Sequence, residues 1–266
     1  MNKRALLLFV LFLSATCLRA QQPETVIAKA FYKFSHIRDT TNLNKVSEDN
    51  MVLMLGPTSS VYKSFNRMIS DSVMRANIDK VKTGTPPPGL GKYGSGTEVY
   101  LYTASKKAQQ TDAMVENYLY DIQYPEINWQ ITADTTTISG IKCQKATGTW
   151  KGRTYEAWFS PEIPFHSGPW KLNGLPGLII SASDTKKQVR FDFAGFQKYN
   201  GAPIEISAAK QIVKTTEPEY KKLREAFLEN PTAFMKTVMP EIQSITLSTP
   251  YVRKPAINNP IELEKK

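Results

Sequence analysis

The 266-residue chain carries 41% hydrophobic and 22% charged side chains and a formal net charge of +10, enough length and apolar content to bury a substantial core. Its positive charge is scattered in pairs such as Lys106-Lys107, Lys186-Lys187 and Lys221-Lys222 rather than gathered into a stripe, which argues against nucleic acid as a partner. Two cysteines, Cys17 and Cys143, are too few for a disulfide framework.

The first residues have the layout of an export signal: Lys3 and Arg4 precede the apolar run Ala5 to Leu13, which is too short to span a bilayer. Cleavage after Ala20 leaves residues 21–266 as a single β-rich domain and removes Lys3, Arg4 and Arg19, so that +10 falls to +7. Lipidation at Cys17 is the rival reading, opposed by the bulky Thr16 just before it. After the signal is removed no second membrane-spanning run remains, and Cys143, in the alternating stretch Ile138 to Ala146, reads as a buried small hydrophobe.

From Glu24 to His36, Val26, Ala28, Ala30, Tyr32 and Phe34 fall on one face and Thr25, Lys29, Lys33 and Ser35 on the other, the period of a half-buried strand. Asp39 to Asn50 is polar and turn-rich, and Met51 to Leu55 is a short buried strand ended by Gly56-Pro57. Helical spacing of Phe65, Met68, Ile69, Val73 and Met74 predicts a helix over 64–79. Residues 83–96 hold eight Gly or Pro and must be an exposed loop. Strands are then expected at Thr97–Tyr102, Val115–Gln123, Asn128–Thr132, Thr136–Thr147, Thr154–Phe159, Gly177–Ala182, Gln188–Phe196 and Ile204–Ser207. Thr216 and Glu219 are spaced as a capping box and Asn230-Pro231 starts another short helix through Met239, so helices return over 216–239. Many strands with few helices predict a mainly β fold: a large curved antiparallel sheet, or half-barrel, with a few covering helices.

Within the densest segment, Gly152-Arg153 suits a hairpin turn and Trp158 is expected to fill a core or cavity site. Pro161, Pro164, Pro169 and Pro176 keep Ser160–Pro176 out of any central ladder, so it must cross between strands as a rigid connection. Gly140, Gly152, Pro164, Gly168, Pro169, Gly174, Leu175, Pro176 and Gly177 are read as structural, the glycines chosen for backbone geometry.

Ser139 to Ala146, Gly152 to Phe159, Gly168 to Lys171 and the hexapeptide Gly174-Leu175-Pro176-Gly177-Leu178-Ile179 together resemble the GLPGLI family of exported Bacteroidetes proteins. Ser59 to Ser64 and Asn259-Pro260-Ile261-Glu262-Leu263 extend the resemblance toward both ends. The resemblance implies export, to the periplasm, the outer membrane or beyond, and no reaction. A looser similarity in the order of features is to half-barrel envelope carriers of the lipoprotein-chaperone type.

No catalytic set is legible. His166 and Ser167 are adjacent, a poor geometry for a nucleophile and its base, and His36 is the other histidine beyond the signal. A His-Glu-x-x-His pattern is absent, so no metal is called, and Gly91 to Gly96 precedes a strand rather than a helix, so no nucleotide or other cofactor is called either. Acid pairs such as Glu156 with Glu162, or Asp184 with Asp192, are the sort any β protein contains. The aromatics say more: Tyr100, Tyr102, Trp129, Trp158 and Trp170 are the candidate ligand-binding residues, in competition with an ordinary role in the core. The leading expectation is a non-catalytic envelope protein that binds an apolar ligand, a peptide or an outer-membrane protein; the alternative is a hydrolase of an envelope or extracellular substrate whose groups converge only on folding.

Overall fold

The computed structural model describes residues 24–78, 93–209, 211–238 and 258–263. The predicted signal segment, with Cys17, and residues 83–92 of the predicted loop lie outside the described residues. Among the described residues twelve strands form one open, mainly antiparallel sheet. In chain order they are β1 (Ala28–Ile37), β2 (Val46–Leu55), β3 (Ser59–Ser64), β4 (Thr97–Tyr102), β5 (Lys107–Ala113) and β6 (Asn117–Ile122), then β7 (Gln130–Ile138), β8 (Ile141–Trp150), β9 (Arg153–Ser160), β10 (Leu178–Asp184), β11 (Val189–Lys198) and β12 (Val213–Lys214). Helix α1 (Phe65–Ala76) follows β3, and α2 (Glu217–Glu229) and α3 (Pro231–Val238) follow β12.

The order across the sheet is β12-β6-β5-β4-β3-β2-β1-β11-β10-β9-β8-β7. The chain therefore starts in the middle, meanders out to β6, leaps to the far edge at β7 and meanders back until β11 pairs with β1. That leap bounds the curvature. Laid flat, β6 and β7 would lie ten strand spacings apart, about 48 Å at ~4.8 Å each, whereas the link 123–129 reaches only ~27 Å when fully extended. The sheet must bend into a trough, and the link crosses its open side like a strap.

Side-chain alternation decides which face turns inward. Ala28, Ala30 and Tyr32 of β1 stand opposite Leu55, Leu53 and Met51 of β2, and Tyr155, Ala157 and Phe159 of β9 join them in the main core. The convex face carries a smaller core of Val52, Met54, Val61 and Tyr100, with Phe65 and Met68 of α1 packed on it. The Ser64 side chain accepts the Arg67 N–H and so starts α1 immediately after β3.

Several boundaries differ from the sequence expectations. The predicted strand Thr136–Thr147 is two strands, because Ser139 and Gly140 take φ of 50° and 82° and turn the chain between β7 and β8. The next hairpin turns at Lys151-Gly152 (φ 43° and 77°), one residue earlier than expected, and Arg153 opens β9. Strand β5 was not expected, since Lys107-Ala108-Gln109-Gln110-Thr111 has little apolar signal; β2 also reaches back into the polar stretch before Met51. Ile204–Ser207 is no strand but makes a single bridge between Glu205 and Thr25. One pairing, β12 with β6, is parallel.

Candidate functional site

The concave face does not fill completely. A cavity of about 690 Å³ remains toward the β6 side of the trough, floored by inward-facing residues of β1 to β6 and β11. Phe34 and Phe191 stack there with centroids 5.2 Å apart, and the Tyr62 ring meets Phe191 edge-on. Asp112, buried on β5, accepts hydrogen bonds from Thr97 Oγ1, Gln110 Nε2 and Tyr120 Oη. Burial and the neighbouring Asp112 carboxylate push the Tyr120 phenol well above its ordinary pKa, so it stays a donor.

Helix α2 makes one wall. Thr216 caps it: its side chain accepts the Glu219 N–H, while the Glu219 carboxylate accepts the Thr216 N–H. That fixes the entry of the helix so that Tyr220 stacks on Tyr120, with centroids 5.0 Å apart at 22°, an arrangement contributing about 0.5–1.5 kcal/mol beyond simple burial.

The opposite wall is the segment 258–263, held by a buried cluster. Arg153 and Asp184 form an ion pair of 2.8 Å with side-chain exposures of 2% and 3%. Arg153 also donates to the carbonyls of Pro260 and Ile261 and to Asn259 Oδ1, while Asp184 accepts the backbone N–H groups of Gln188 and Val189. His36 bonds the Asn259 carbonyl through Nε2 at 2.7 Å, and because a carbonyl only accepts, that nitrogen carries the proton. Burial drives the His36 pKa down to about 4, leaving the ring neutral at pH 7. Leu263 N–H donates to Lys151 O, and Gly152 permits this approach: a Cβ there would meet Leu263 O at 2.9 Å.

The rigid connection between β9 and β10 supplies the third wall. Leu172, Leu175, Leu178, Ile179 and Ile180 are fully buried, and Gly174 takes φ 90° while its N–H donates to His166 O. Asn173 clamps the strap 123–129: its side chain donates to Pro125 O, and Trp129 Nε1 donates to its carbonyl. Trp170 is the anomaly. The bond from Leu172 N–H to Pro169 O closes a tight turn in which Trp170 has φ 57°, a position at which glycine is normally needed. The other non-glycine residues at positive φ, Lys106, Ser139, Lys151 and Lys187, are small or flexible. Trp170 lines the cavity, its Nε1 donates to Glu262 Oε1, and Lys171, 8% exposed, pairs with the same carboxylate at 2.7 Å.

The five aromatics expected to bind a ligand do not converge. Trp170 alone of them lines the cavity. Tyr100 and Tyr102 point to the convex face, where the Tyr100 hydroxyl donates to Glu98. Trp129 belongs to the strap. Trp158 is half-buried on the face of Glu156, beside Lys145, because the core phase of β9 falls on Tyr155, Ala157 and Phe159; it does not fill the core. The acid pairs separate as well: Asp184 is tied to Arg153, Asp192 pairs with Arg190 at the surface, and Glu156 pairs with Lys145 and Lys187. Cys143 is a free, buried thiol. His166 is exposed while Ser167 is buried. Among the described residues no group of three or more His, Cys, Asp or Glu is placed to hold a metal, and no helix is long and apolar enough to cross a membrane.

Sequence reasoning passed over Arg153, Lys171, Asp112 and Glu262. Arg153 had a signal: it shares the core phase of Tyr155, Ala157 and Phe159, which an arginine keeps only when paired.

No curated protein matches this chain. A family model described as a protein of unknown function (Porph_ging) matches residues 149–181, a stretch that holds the Lys151-Gly152 turn, β9, Trp170 and the Gly174–Ile179 hexapeptide. Two solved structures of PNGF-II, in space groups P21 and C2, are similar at 13% identity with TM-scores of 0.52 and 0.51. Each likeness covers 75% of this chain and 32% of PNGF-II, so the chain spans about a third of that protein's length. At this identity the likeness is one of fold: the open trough recurs inside a larger protein.

Proposed function

We propose that the chain is an exported cell-envelope protein that binds a ligand in the concave cavity without transforming it. The observation carrying this reading is a tryptophan held at a glycine position on the wall of a roughly 690 Å³ cavity, within the ~300–1,000 Å³ range of small-molecule sites. A non-glycine residue at positive φ costs about 1–3 kcal/mol, and such strain clusters at ligand clamps. The carboxylates around the cavity favour binding over chemistry, since Asp112 is engaged by three side-chain donors and Glu262 by Trp170 and Lys171.

Export rests on the Lys3-Arg4 start and the apolar run that follows, and places the protein in the periplasm, at the outer membrane or outside the cell. Native mass spectrometry of protein isolated from the envelope fraction tests both parts. The expected species begins at Gln21 and retains a bound ligand. Turnover of an envelope substrate, abolished by Asp112→Asn without loss of folding, would replace binding with hydrolysis.

A further inference from the structure

Granted that the cavity binds a ligand, the way its charges are already spent restricts what that ligand is. Five carboxylates line it, and each has partners within the fold. Glu262 pairs with Lys171, Glu48 with Lys33 and Glu217 with Lys221. Asp112 has its three side-chain donors, and Asp49 accepts from Ser64 Oγ, Asn66 Nδ2 and the Ser95 N–H. A cationic ligand would give up its hydration here without meeting an unpaired carboxylate; for an anionic one, Lys171 and Lys221 are already paired, and the other lining cations, Arg38 and Arg224, are exposed to solvent, which screens them. A purely hydrocarbon ligand would strip water from Asp112, Gln110 and Glu262 and return no hydrogen bond.

A neutral ligand that has an apolar face and donates hydrogen bonds meets neither penalty. An ionised carboxylate offers about four lone-pair sites, so Asp112 and Asp49, each with three donors, keep capacity for further donors, as does Glu262 with its two. The polar lining is made of side chains, namely carboxylates, the Gln110 amide, hydroxyls and the cations just named, rather than of open strand edges. This suits clustered hydroxyl groups better than a peptide backbone, which is normally captured by adding a strand to a sheet. The Phe34, Phe191 and Trp170 rings supply the apolar surface beside these groups.

We propose that the cavity is a site for an uncharged saccharide, with Trp170 as the aromatic contact and Asp112 as the hydroxyl acceptor. The proposal rests on the binding function inferred above, and the test separates the two. Binding to the purified protein is measured by calorimetry and saturation-transfer NMR with six probes: maltotriose, cellotriose, N-acetylated chitotriose, trigalacturonate, end-blocked Ala-Phe-Ala and decanoate.

At least one neutral trisaccharide should bind, trigalacturonate should bind more weakly, and Trp170→Gly should weaken the neutral sugar about tenfold or more. Glycine relieves the turn, so near-UV circular dichroism should show a folded variant. Asp112→Asn is the second variant, expected to weaken sugar binding while keeping the cavity's shape. Binding of only the peptide or decanoate, lost in Trp170→Gly, would overturn the saccharide assignment and keep the binding function. Tighter binding of trigalacturonate, or neutral-sugar binding unchanged in both variants, would likewise overturn the assignment. If none of the six binds and protein from the envelope fraction retains no ligand, both readings fall.

Discussion

Replacing Arg153 with Met removes the guanidinium while keeping most of the volume, and tests whether the buried cluster holds the cavity wall. The wild-type side chain makes an ion pair with Asp184 and three hydrogen bonds to the 258–263 segment. Breaking a buried pair by removing one partner costs about 3–5 kcal/mol, mostly through the charge left behind. Asp184 keeps two backbone donors, from Gln188 and Val189, which places the expected loss near the lower end, about 3 kcal/mol. Urea unfolding measures it. The double variant Arg153→Met with Asp184→Leu removes the stranded charge and should recover a large part of the loss. Hydrogen exchange supplies a local readout: the Leu263 amide, bonded to Lys151 O, should lose protection in Arg153→Met while the β1 amides paired with β11 keep theirs. A loss under about 1 kcal/mol with Leu263 still protected would refute the idea that Arg153 anchors the segment.

His36 gives a pH dependence with a definite sign. Its folded pKa, about 4, lies below the ordinary 6.5, so the unfolded chain binds the extra proton first; the contribution is intact above pH 6.5 and is lost as pH falls toward 4. The loss is about 3 kcal/mol, and His36→Gln, which can still donate to Asn259 O, should flatten the acid limb of stability against pH. Gly177→Ala should destabilise far more than Gly174→Ala: a Cβ at Gly177 lies 2.1 Å from Ser160 O, whereas at Gly174 it meets open space and only the 90° φ opposes it, about 1–2 kcal/mol. Equal melting temperatures for the two would show that the backbone around Ser160 yields. Burial raises the Cys143 thiol pKa, so a thiol reagent at pH 8 should label it slowly in native protein and rapidly in denaturant.

What could be read from the sequence follows from what is local. Strand β1 announces itself because its inward run Ala28, Ala30, Tyr32 and Phe34 is apolar and its outward face includes Lys29 and Lys33; α2 does so because Thr216 and Glu219 satisfy each other across one turn. Strand β5 was invisible for the converse reason. Of its inward positions, Ala108 is small and joins Val99 and Leu101 in a minor core, and Gln110 and Asp112 are polar because they face the cavity. The failure of the hydrophobic pattern therefore marked the site. Trp158 misled because a tryptophan suggests burial whatever its phase, whereas Tyr155, Ala157 and Phe159 had already claimed the inward face of β9.

The walls of the cavity had no local signature, because they come from opposite ends of the chain. Asn259 touches His36, Ile37 and Arg38 at one end of the sequence and Arg153 near its middle. Those contacts exist only once β11 has returned to pair with β1 and β10 has paired with β9, which sets Asp184 against Arg153. The Asn259–Leu263 pentapeptide can be read as a motif, but its meaning is set by Arg153, more than a hundred residues earlier. Removing Asn259 should therefore act at both ends: Asn259→Ala deletes the side-chain bonds to Ile37 O and Arg153 and leaves the backbone bonds to His36 and Arg38 in place. A loss of about 1–3 kcal/mol is expected, smaller than for Arg153→Met, because no charge is stranded. A loss as large as that of Arg153→Met would mean that the asparagine, not the guanidinium, organises the wall.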